Sequence, residues 1–366
     1  MPSPTMVVSQ SPISTPAYPP EAPKRPVTIK DIAKIAGVHF TTVSLALRNH
    51  PSLPEQTKAR IKAIAEKLGY VPNAVFSALT HFHLHGRIRA EAPRIAYIVN
   101  TPISPGPARQ QSQSQILEGA RAQAKALGYE LEIVVMGEIP SSALEAHLHA
   151  RNITGLVIAA FDPCFDAITL NWENYCIVKI DSMHMAPPAP VVGSDHRQDV
   201  RLAFQRLRSL GYQRIGLAIG RADEDATERL YTAGYLLEQG AIPAEDRIPE
   251  LIFPYHCVTA QATALLREWV KKHRVEAVIC NQPNAPALLH GAGLRVPEDI
   301  TCASLCLLER NSGQAGVCPN PRTIGAKAID LVASLLKSGE RGIPEYASRT
   351  YVKSYWQDGE TVPEKN

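Results

Sequence analysis

A short stretch near the amino end concentrates side chains that donate hydrogen bonds to phosphates and base edges. Within "TIKDIAKIAGVHFTTVSLALRNHPSL", residues 28–53, Thr41, Thr42 and Ser44 open a short apolar-periodic run. Short hydroxyl side chains suit contacts with the DNA backbone and with bases. Residues 24–90 contain eleven Lys and Arg residues and three acidic ones, whereas the whole chain has a formal charge of +3. This local positive surplus predicts a polyanionic partner for this part of the chain.

Three short helices are predicted to position these hydroxyl groups. Thr28 is expected to cap the first, with Asp31 in a capping-box pattern, and Gly37 to end it. The second is predicted over about 40–48, and the third opens at Pro54. Two helices joined by a glycine turn on a basic three-helix unit match the helix-turn-helix arrangement. The alternative is a helical hairpin with a purely structural role, but the local charge and the exposed hydroxyl side chains favour DNA binding.

Other groups that could do chemistry lead to weaker hypotheses. The seven cysteines all follow residue 160 without CxxC spacing, so buried free thiols are expected, including Cys302 and Cys306. His81, His83 and His85 alternate in "HFHLH", but no cysteine or acid lies close by in the sequence, and no metal site is predicted. Phosphate-binding loops, nucleophile elbows and HExxH motifs are missing from the sequence, which predicts neither an enzyme nor a cofactor.

Composition and patterning predict the domain organisation. Residues 1–26 contain eight prolines and are expected to be a disordered tail, not a signal peptide. Residues 27–71 form the expected head, and 72–92 the hinge helix and linker. Over 93–360, strand-like runs such as "RIAYIVN" and "GLVIAAF" alternate with amphipathic helical patterns, which predicts parallel sheets covered on both faces, in two lobes. Without a membrane-length apolar run, the expected location is the cytoplasm.

The chain also resembles a known family. "TIKDIAKIAGV", "YVPN" and "GLRVPEDIT" look like signatures of the LacI/GalR (lac-repressor) family of bacterial transcriptional regulators, and the resemblance extends over about 27–356. It implies an N-terminal all-α helix-turn-helix head and an α/β two-lobed, periplasmic-binding-protein-like core. The implied partners are double-stranded DNA with a palindromic operator, a small-molecule effector and a second copy of the chain.

The resemblance assigns roles in DNA binding by position. The positions where the family touches phosphates are Thr28, His39, Ser44, Thr57 and Asn73. The positions where its recognition helix reads bases are Phe40, Thr41 and Leu45. Leu79 matches the hinge leucine that wedges into the minor groove. Leu45 stands where arginine is frequent, which favours an apolar contact with a thymine methyl group.

The resemblance also places a ligand between the lobes, at the carboxyl ends of the strands. Family effectors are mostly sugars, sugar phosphates or purines. Here Tyr231 occupies the place of the usual arginine, and Cys306 lies where an Asp-Asp pair is usual. The candidate ligand-binding residues are Phe161, Asp162, Arg229, Tyr231, Asn281 and Gln282. Two alternatives stay open: a less polar ligand, or a cleft that binds no small molecule.

These patterns predict a dimeric repressor whose operator affinity changes with a cleft ligand. A transcriptional activator is an alternative, and a sugar-binding or sugar-modifying protein with a DNA-binding head is a remote one. A leucine heptad is missing from the C-terminal sequence, so a dimer is favoured over a tetramer. The first lobe is expected over about 93–188 and 314–342, and the second over about 189–313 and 343–360.

Overall fold

The computed structural model describes residues 28–47, 53–68, 70, 92–100, 108–161, 167–308 and 313–365. It divides the chain into two compact units, Met1–Ile88 and Arg89–Asn366, called here the head and the core. Several predictions fall outside the described residues. They concern the tail at 1–26, the hinge helix with Asn73 and Leu79, the histidines at 81, 83 and 85, and the residues Asp162 and Cys164.

Helices and strands alternate along the core, as the sequence predicts. The helices are α1 (Ile29–Ala36), α2 (Phe40–Leu47), α3 (Glu55–Lys67), α4 (Ala108–Ala126), α5 (Ser141–Ala150), α6 (His196–Ser209), α7 (Arg221–Ala226), α8 (Leu230–Gly240), α9 (Thr259–His273), α10 (Ala285–Gly291) and α11 (Pro321–Ser338). The strands are β1 (Arg94–Val99), β2 (Glu130–Val135), β3 (Gly155–Ile158), β4 (Cys176–Ile180), β5 (Val191–Ser194), β6 (Ile215–Gly220), β7 (Leu251–Phe253), β8 (Ala277–Cys280), β9 (Thr301–Ser304), β10 (Ala315–Cys318), β11 (Arg349–Val352) and β12 (Tyr355–Gln357).

The head is a three-helix unit whose first turn is fixed by its own side chains. The Thr28 hydroxyl donates to Asp31 Oδ2 at 2.6 Å, and the Asp31 N–H donates back to Thr28 Oγ1 at 3.4 Å. This confirms the predicted capping box. Gly37 ends α1 with φ +64°, a left-handed conformation that glycine adopts without strain, and it turns the chain into α2.

The head core is small. Its buried residues are Ile32, Ala33, Ala36, Val43, Ala46, Ile61 and Ala65. Four of them are alanines, so Ile32, Val43 and Ile61 supply most of the buried apolar surface. A hydrogen bond also connects α3 with α1, because Arg60 Nη2 donates to the Ala36 carbonyl at 3.2 Å near the end of α1.

The core consists of two lobes, each built on a six-stranded sheet. The first sheet has the order β11-β5-β4-β3-β1-β2 and the second β12-β10-β9-β8-β6-β7. The strand pairs are parallel except β10 with β12, which is antiparallel. Buried apolar clusters cover both faces of each sheet, which confirms the α/β fold class.

The structure corrects the predicted lobe boundaries. β5 and β11 pair within the first sheet, although 189–194 and 343–352 were assigned to the second lobe. β10 pairs with β9 in the second sheet, although it was assigned to the first. The chain therefore crosses between the lobes at Asp195, at Pro319–Asn320 and at Lys353–Ser354. The strands before these crossings are four residues long and include Gly, Ser or Thr, so no extended apolar run marks them in the sequence.

Hydrogen bonds tie the three crossings to one another. The Ser194 hydroxyl lies 2.7 Å from Asp199 Oδ2 and 2.9 Å from the Ser354 hydroxyl. Asn320 Nδ2 donates to the Lys353 carbonyl at 2.7 Å. These contacts connect the first crossing with the third, and the second with the third.

None of the helices within the described ranges is long and apolar enough to cross a membrane. The cysteines described there are free: Cys176, Cys257, Cys280, Cys302, Cys306 and Cys318. Burial raises the pKa of Cys302 to about 12 and that of Cys306 to about 11. These two thiols stay protonated near neutral pH, which agrees with a packing role.

Candidate nucleic-acid interface and interlobe cleft

The second helix of the head separates the side chains that hold it from those it presents. Val43 and Ala46 are buried in the head core. Phe40, with 46% of its surface exposed, and Thr41 face solvent, while Ser44 and Leu45 are partly buried. α2 therefore presents a ring and a hydroxyl group from its first turn, as a recognition helix must.

The start of α2 is fixed by local contacts. His39 precedes the helix, and its carbonyl accepts the N–H groups of Thr42 and Val43. Its ring nitrogen Nδ1 lies 2.8 Å from Thr41 Oγ1, and its ring centroid lies 4.3 Å from that of Phe40. His39, Phe40 and Thr41 thus form one contiguous group on the exposed face of the helix.

Two predicted phosphate-contacting residues occupy helix starts. Thr28 caps α1, and both its hydroxyl and its backbone N–H are bonded to Asp31 Oδ2. Thr57 lies in the first turn of α3, where its N–H donates to the Pro54 carbonyl. The Thr28 side chain therefore already has a structural partner, whereas no side-chain hydrogen bond of Thr57 is among those found for the described residues.

The carboxyl ends of the two sheets meet between the lobes. Asp181 follows β4 of the first lobe with φ +52°, and its Oδ1 lies 3.4 Å from His196 Nε2 of the second lobe. His196 Nδ1 lies 3.7 Å from Asp199 Oδ2, and the Tyr231 ring packs on the imidazole with centroids 4.5 Å apart. We call Asp181, Ser194, His196, Asp199 and Tyr231 the interlobe cluster.

Further contacts join the lobes around this cluster. Arg349 Nη2 of β11 donates to Glu228 Oε2 at 2.6 Å, and Gln115 Nε2 of α4 donates to the Leu308 carbonyl at 3.4 Å. The Met183 N–H lies 3.2 Å from the Ala226 carbonyl. The lobes therefore touch at several points along the cleft.

Burial and charge act in opposite directions on the interlobe cluster. Burial alone lowers the pKa of His196, but the hydrogen bond to Asp181 and the charges of Asp181, Asp199 and Asp223 outweigh it, so the pKa is raised. Burial raises the pKa of Asp199 despite His196 and the hydroxyl groups of Ser194 and Ser354. Burial, followed by nearby carboxylates, raises the pKa of Tyr231 well above its usual value.

A second polar group lies at the carboxyl ends of β6 and β8. Asn281 Nδ2 donates to Asp223 Oδ2 at 2.8 Å, and the Cys306 thiol donates to the Asn281 carbonyl at 3.1 Å. Asp223 and Gln282 also line a cavity of about 270 Å³ in the second lobe, together with residues after β7 such as Tyr255 and His256. No group of His, Cys, Asp and Glu side chains in the described part of the chain could hold a metal ion.

Family models match both units. Residues 28–73 match the model described as bacterial regulatory proteins, lacI family. Residues 109–302, more than half of the chain, match the periplasmic binding proteins and sugar binding domain of the LacI family. The chain belongs to the LacI family.

Relatives and solved structures of the LacI family agree with this assignment. The ribose operon repressor of Bacillus subtilis is 29% identical over 282 residues, which cover 75% of this chain and 79% of that protein. The lactose operon repressor of Escherichia coli is 26% identical over 58% of this chain and 56% of its own length. The fold is that of the lac repressor dimer bound to operator and the anti-inducer ONPF, with a TM-score of 0.52, 19% identity and coverage of 92% of this chain and 99% of that one.

Membership of the LacI family confirms the predicted class of function and fold. The protein is a DNA-binding transcriptional regulator with a helix-turn-helix head and a two-lobed core. The individual DNA contacts stay predictions, and those of Asn73 and Leu79 also lie outside the described residues.

The predicted ligand-binding residues of this LacI-family core do not all face one space. Phe161 is 2% exposed and packs in the first-lobe core, and Arg229 is exposed at the start of α8. Tyr231 belongs to the interlobe cluster, while Asn281 and Gln282 lie beside Asp223. Asn281 and Gln282 therefore lie with Asp223 in the second lobe, whereas Phe161 lies in the first-lobe core.

Sequence reasoning missed two contributors to the cleft, His196 and Asp223. His196 directly follows the first crossing, and Asp199 lies three residues later, one helical turn on. The sequence pattern that indicates this site is a histidine and an aspartate three residues apart, after the apolar pair of "VVGS". Asp223 lies in the turn of α7 after β6, where the sequence offers no comparable pattern.

Proposed function

We propose that the protein is a cytoplasmic repressor that binds a palindromic operator as a homodimer and responds to a small polar ligand bound in the core. It acts by binding, without catalysis. The observation that carries the DNA-binding part is the division of α2, which buries Val43 and Ala46 and exposes Phe40 and Thr41. Names of relatives support the direction of regulation, since the ribose and lactose operon regulators are both repressors.

Base reading is assigned to Phe40, Thr41 and Leu45, and phosphate contacts to Thr28, His39, Ser44, Thr57 and Asn73. Leu79 itself is assigned the minor-groove wedge. For Thr28, the backbone at the amino end of α1 is the favoured contact, because its side chain caps the helix. A base contact changes specificity, whereas a phosphate contact changes affinity for all sequences.

The experiment compares Thr41→Ala with Thr57→Ala, two matched threonine truncations on neighbouring helices. An operator is first selected from random duplex DNA with the wild-type protein, and affinities are then measured by fluorescence anisotropy for this operator and for scrambled DNA. Thr41→Ala is expected to reduce operator affinity more than scrambled-DNA affinity, and Thr57→Ala to reduce both alike. Failure of the wild-type protein to select any sequence would refute the proposal.

The ligand part of the proposal rests on the polar cavity in the second lobe. Asp223 and Gln282 line it with hydrogen-bonding groups, and its volume of about 270 Å³ is slightly below the range of about 300–1,000 Å³ usual for ligand pockets, which favours a ligand of modest size. A hydroxyl-bearing ligand is favoured, because the matching family model includes sugar-binding domains and a LacI-family regulator of Enterococcus faecium of the same fold has bound ribose. Of the other predicted ligand-binding residues, Asn281 adjoins the cavity through its hydrogen bond to Asp223, whereas Phe161, Arg229 and Tyr231 are not among the residues that line it.

A thermal-shift screen against sugars, sugar phosphates, nucleobases and amino acids tests the ligand. Asn281→Ala should abolish a shift seen with the wild-type protein, because Asn281 holds Asp223 at the cavity wall. Asn174→Ala, an exposed asparagine of the first lobe, is the matched control and should keep the shift. The second candidate function, a regulator that senses no small molecule, is favoured by the direct contacts between the lobes at the interlobe cluster, and it predicts no shift at all.

A further inference from the structure

The interlobe cluster places a buried histidine between carboxylates from two lobes. His196 is 9% exposed, and it begins α6 directly after the chain crosses from the first lobe. Asp181 approaches its Nε2 from the first lobe, and Asp199 approaches its Nδ1 from the same helix. One imidazole thus has an acidic partner on each ring nitrogen, and only one of the two belongs to its own lobe.

The surroundings hold both carboxylates in place. A Cβ atom at Gly193 would lie 1.9 Å from Asp181 Oδ1, so the carboxyl group packs directly on the glycine backbone of β5. Asp199 is 3% exposed, and its Oδ2 is bonded to the Ser194 hydroxyl. Asp199 is therefore held by a hydrogen bond, whereas Asp181 packs against the glycine backbone.

The other titratable groups that face His196 come from the remaining elements packed around it. Asp223 contributes a negative charge from the turn after β6, and the Tyr231 hydroxyl comes from α8. The Cys306 thiol, which faces Tyr231, comes from the segment after β9. No positively charged side chain is among the interactions found for His196 in the described residues, so its surroundings favour the protonated imidazole.

We infer that His196 is a protonation-dependent latch between the lobes, closed when the imidazolium bridges Asp181 and Asp199 and weakened when the imidazole is neutral. In an opened core Asp181 moves away with the first lobe, and His196 returns toward its ordinary pKa of about 6.5. Because the pKa of His196 is raised in the closed core, protonation of His196 favours closure. Closure is strongest below about pH 6.5, and it weakens as the pH rises toward the raised value.

The size of the effect follows from proton linkage. Between the ordinary and the raised pKa, the ratio of closed to open core falls as the pH rises, by at most about tenfold for each pH unit. The inference concerns the core alone and stands whether or not operator affinity follows closure.

Hydrogen–deuterium exchange of the full-length protein tests the latch. The reporter is the Met183 amide, whose N–H bonds to the Asp181 carbonyl in its own loop and, at 3.2 Å, to the Ala226 carbonyl across the cleft. Opening of the cleft removes only the second of these bonds. Its protection factor, corrected for the intrinsic exchange rate, is compared at pH 5.5, 6.5 and 7.5. Measurements stop there, because burial lowers the pKa of Lys179 in β4 to about 8 and its titration would overlap. The amides of β8, inside one sheet, are the internal reference.

The wild-type protection factor of Met183 is expected to fall between pH 6.5 and 7.5, relative to β8, by no more than about fivefold. In His196→Asn, the Met183 amide should be less protected than in the wild type at pH 5.5, and its protection factor should not fall between pH 6.5 and 7.5. His290→Asn, which changes an exposed histidine of α10, should behave as the wild type does. A wild-type factor that is independent of pH, or the same fall in His196→Asn, would overturn the inference.

Asp181→Asn probes the latch from the other lobe and covers the case in which His196→Asn does not fold. Asparagine tolerates the left-handed conformation of Asp181, φ +52°, and keeps its shape. It removes the charge that reaches His196 across the cleft, so the fall with pH should shrink. A pH dependence equal to that of the wild type would show that Asp181 is not the partner of the latch.

Discussion

Truncating Ile61 in the head should strongly weaken operator binding without affecting the core. Ile61 is fully buried and is one of three large apolar residues in the head core, next to Ile32 and Val43. Replacing a buried isoleucine by alanine costs about 2–5 kcal/mol. A unit as small as the head has only a few kcal/mol of stability, at roughly 0.05–0.15 kcal/mol per residue. Ile61→Ala therefore removes most or all of that stability.

The assay measures operator affinity by anisotropy and core unfolding by differential scanning calorimetry. Two heads must fold to occupy a palindrome, so the penalty counts twice, and affinity should fall about tenfold or more. Ile61→Val lowers stability by only about 0.5–1.5 kcal/mol, so this variant should lose much less operator affinity. Ile329→Ala, a fully buried isoleucine of α11, is the matched control and should lower the core transition instead. Full operator affinity in folded Ile61→Ala protein would refute the assignment of DNA reading to this head.

Three further predictions concern single contacts. Thr28→Ala removes the side-chain cap of α1 and should lower head stability by about 1 kcal/mol in thermal unfolding followed by circular dichroism; an unchanged head would show that the cap is dispensable. Gly193→Ala places a Cβ atom 1.9 Å from Asp181 Oδ1, so the core should lose about 1–3 kcal/mol in urea unfolding, and equal midpoints would contradict the close packing. The hydrogen bonds from Arg295 lower the pKa of the Asp299 carboxyl to about 2, so the stability it contributes is present above about pH 3.9 and is lost as the pH falls through 2. Asp299→Asn should remove this acid-range dependence with little effect at pH 7, since the pair is at the surface, and identical acid profiles for the two proteins would count against it.

The sequence predicted local structure well where all the residues that determine an element lie within one short segment. The capping box at Thr28 needs only two residues one turn apart, and the structure confirms it. The strand-like runs from "RIAYIVN" to "ITCASLCL" also form strands, because buried parallel strands need continuous apolar side chains. Two strands were not predicted, because a glycine interrupts the apolar run in "VVGS" of β5 and in "AGVC" of β10. Both lobe boundaries that depended on them were therefore placed several residues away.

The interlobe cluster could not be predicted, because its members meet only when two lobes close. Asp181 and His196 are separated by a strand and a crossing of the chain, and Tyr231 comes from a third element. The sequence does place Asp181 at the carboxyl end of a strand, hence near the cleft. It cannot show that the opposite wall carries an imidazole rather than a ligand.

The substitutions at the family's ligand-binding positions have structural counterparts inside the protein. At two positions that the family resemblance predicts to bind the ligand, Tyr231 covers the His196 ring and Cys306 donates to the Asn281 carbonyl. Both side chains are thereby used in contacts within the core and are not available as charged groups for a ligand. The remaining polar space lies in the second lobe, where Asp223 lines the cavity, holds Asn281 and contributes its charge to the surroundings of His196. Because Asp223 takes part in all three, the proposed cavity ligand and the proposed protonation of His196 would act on the same side chain.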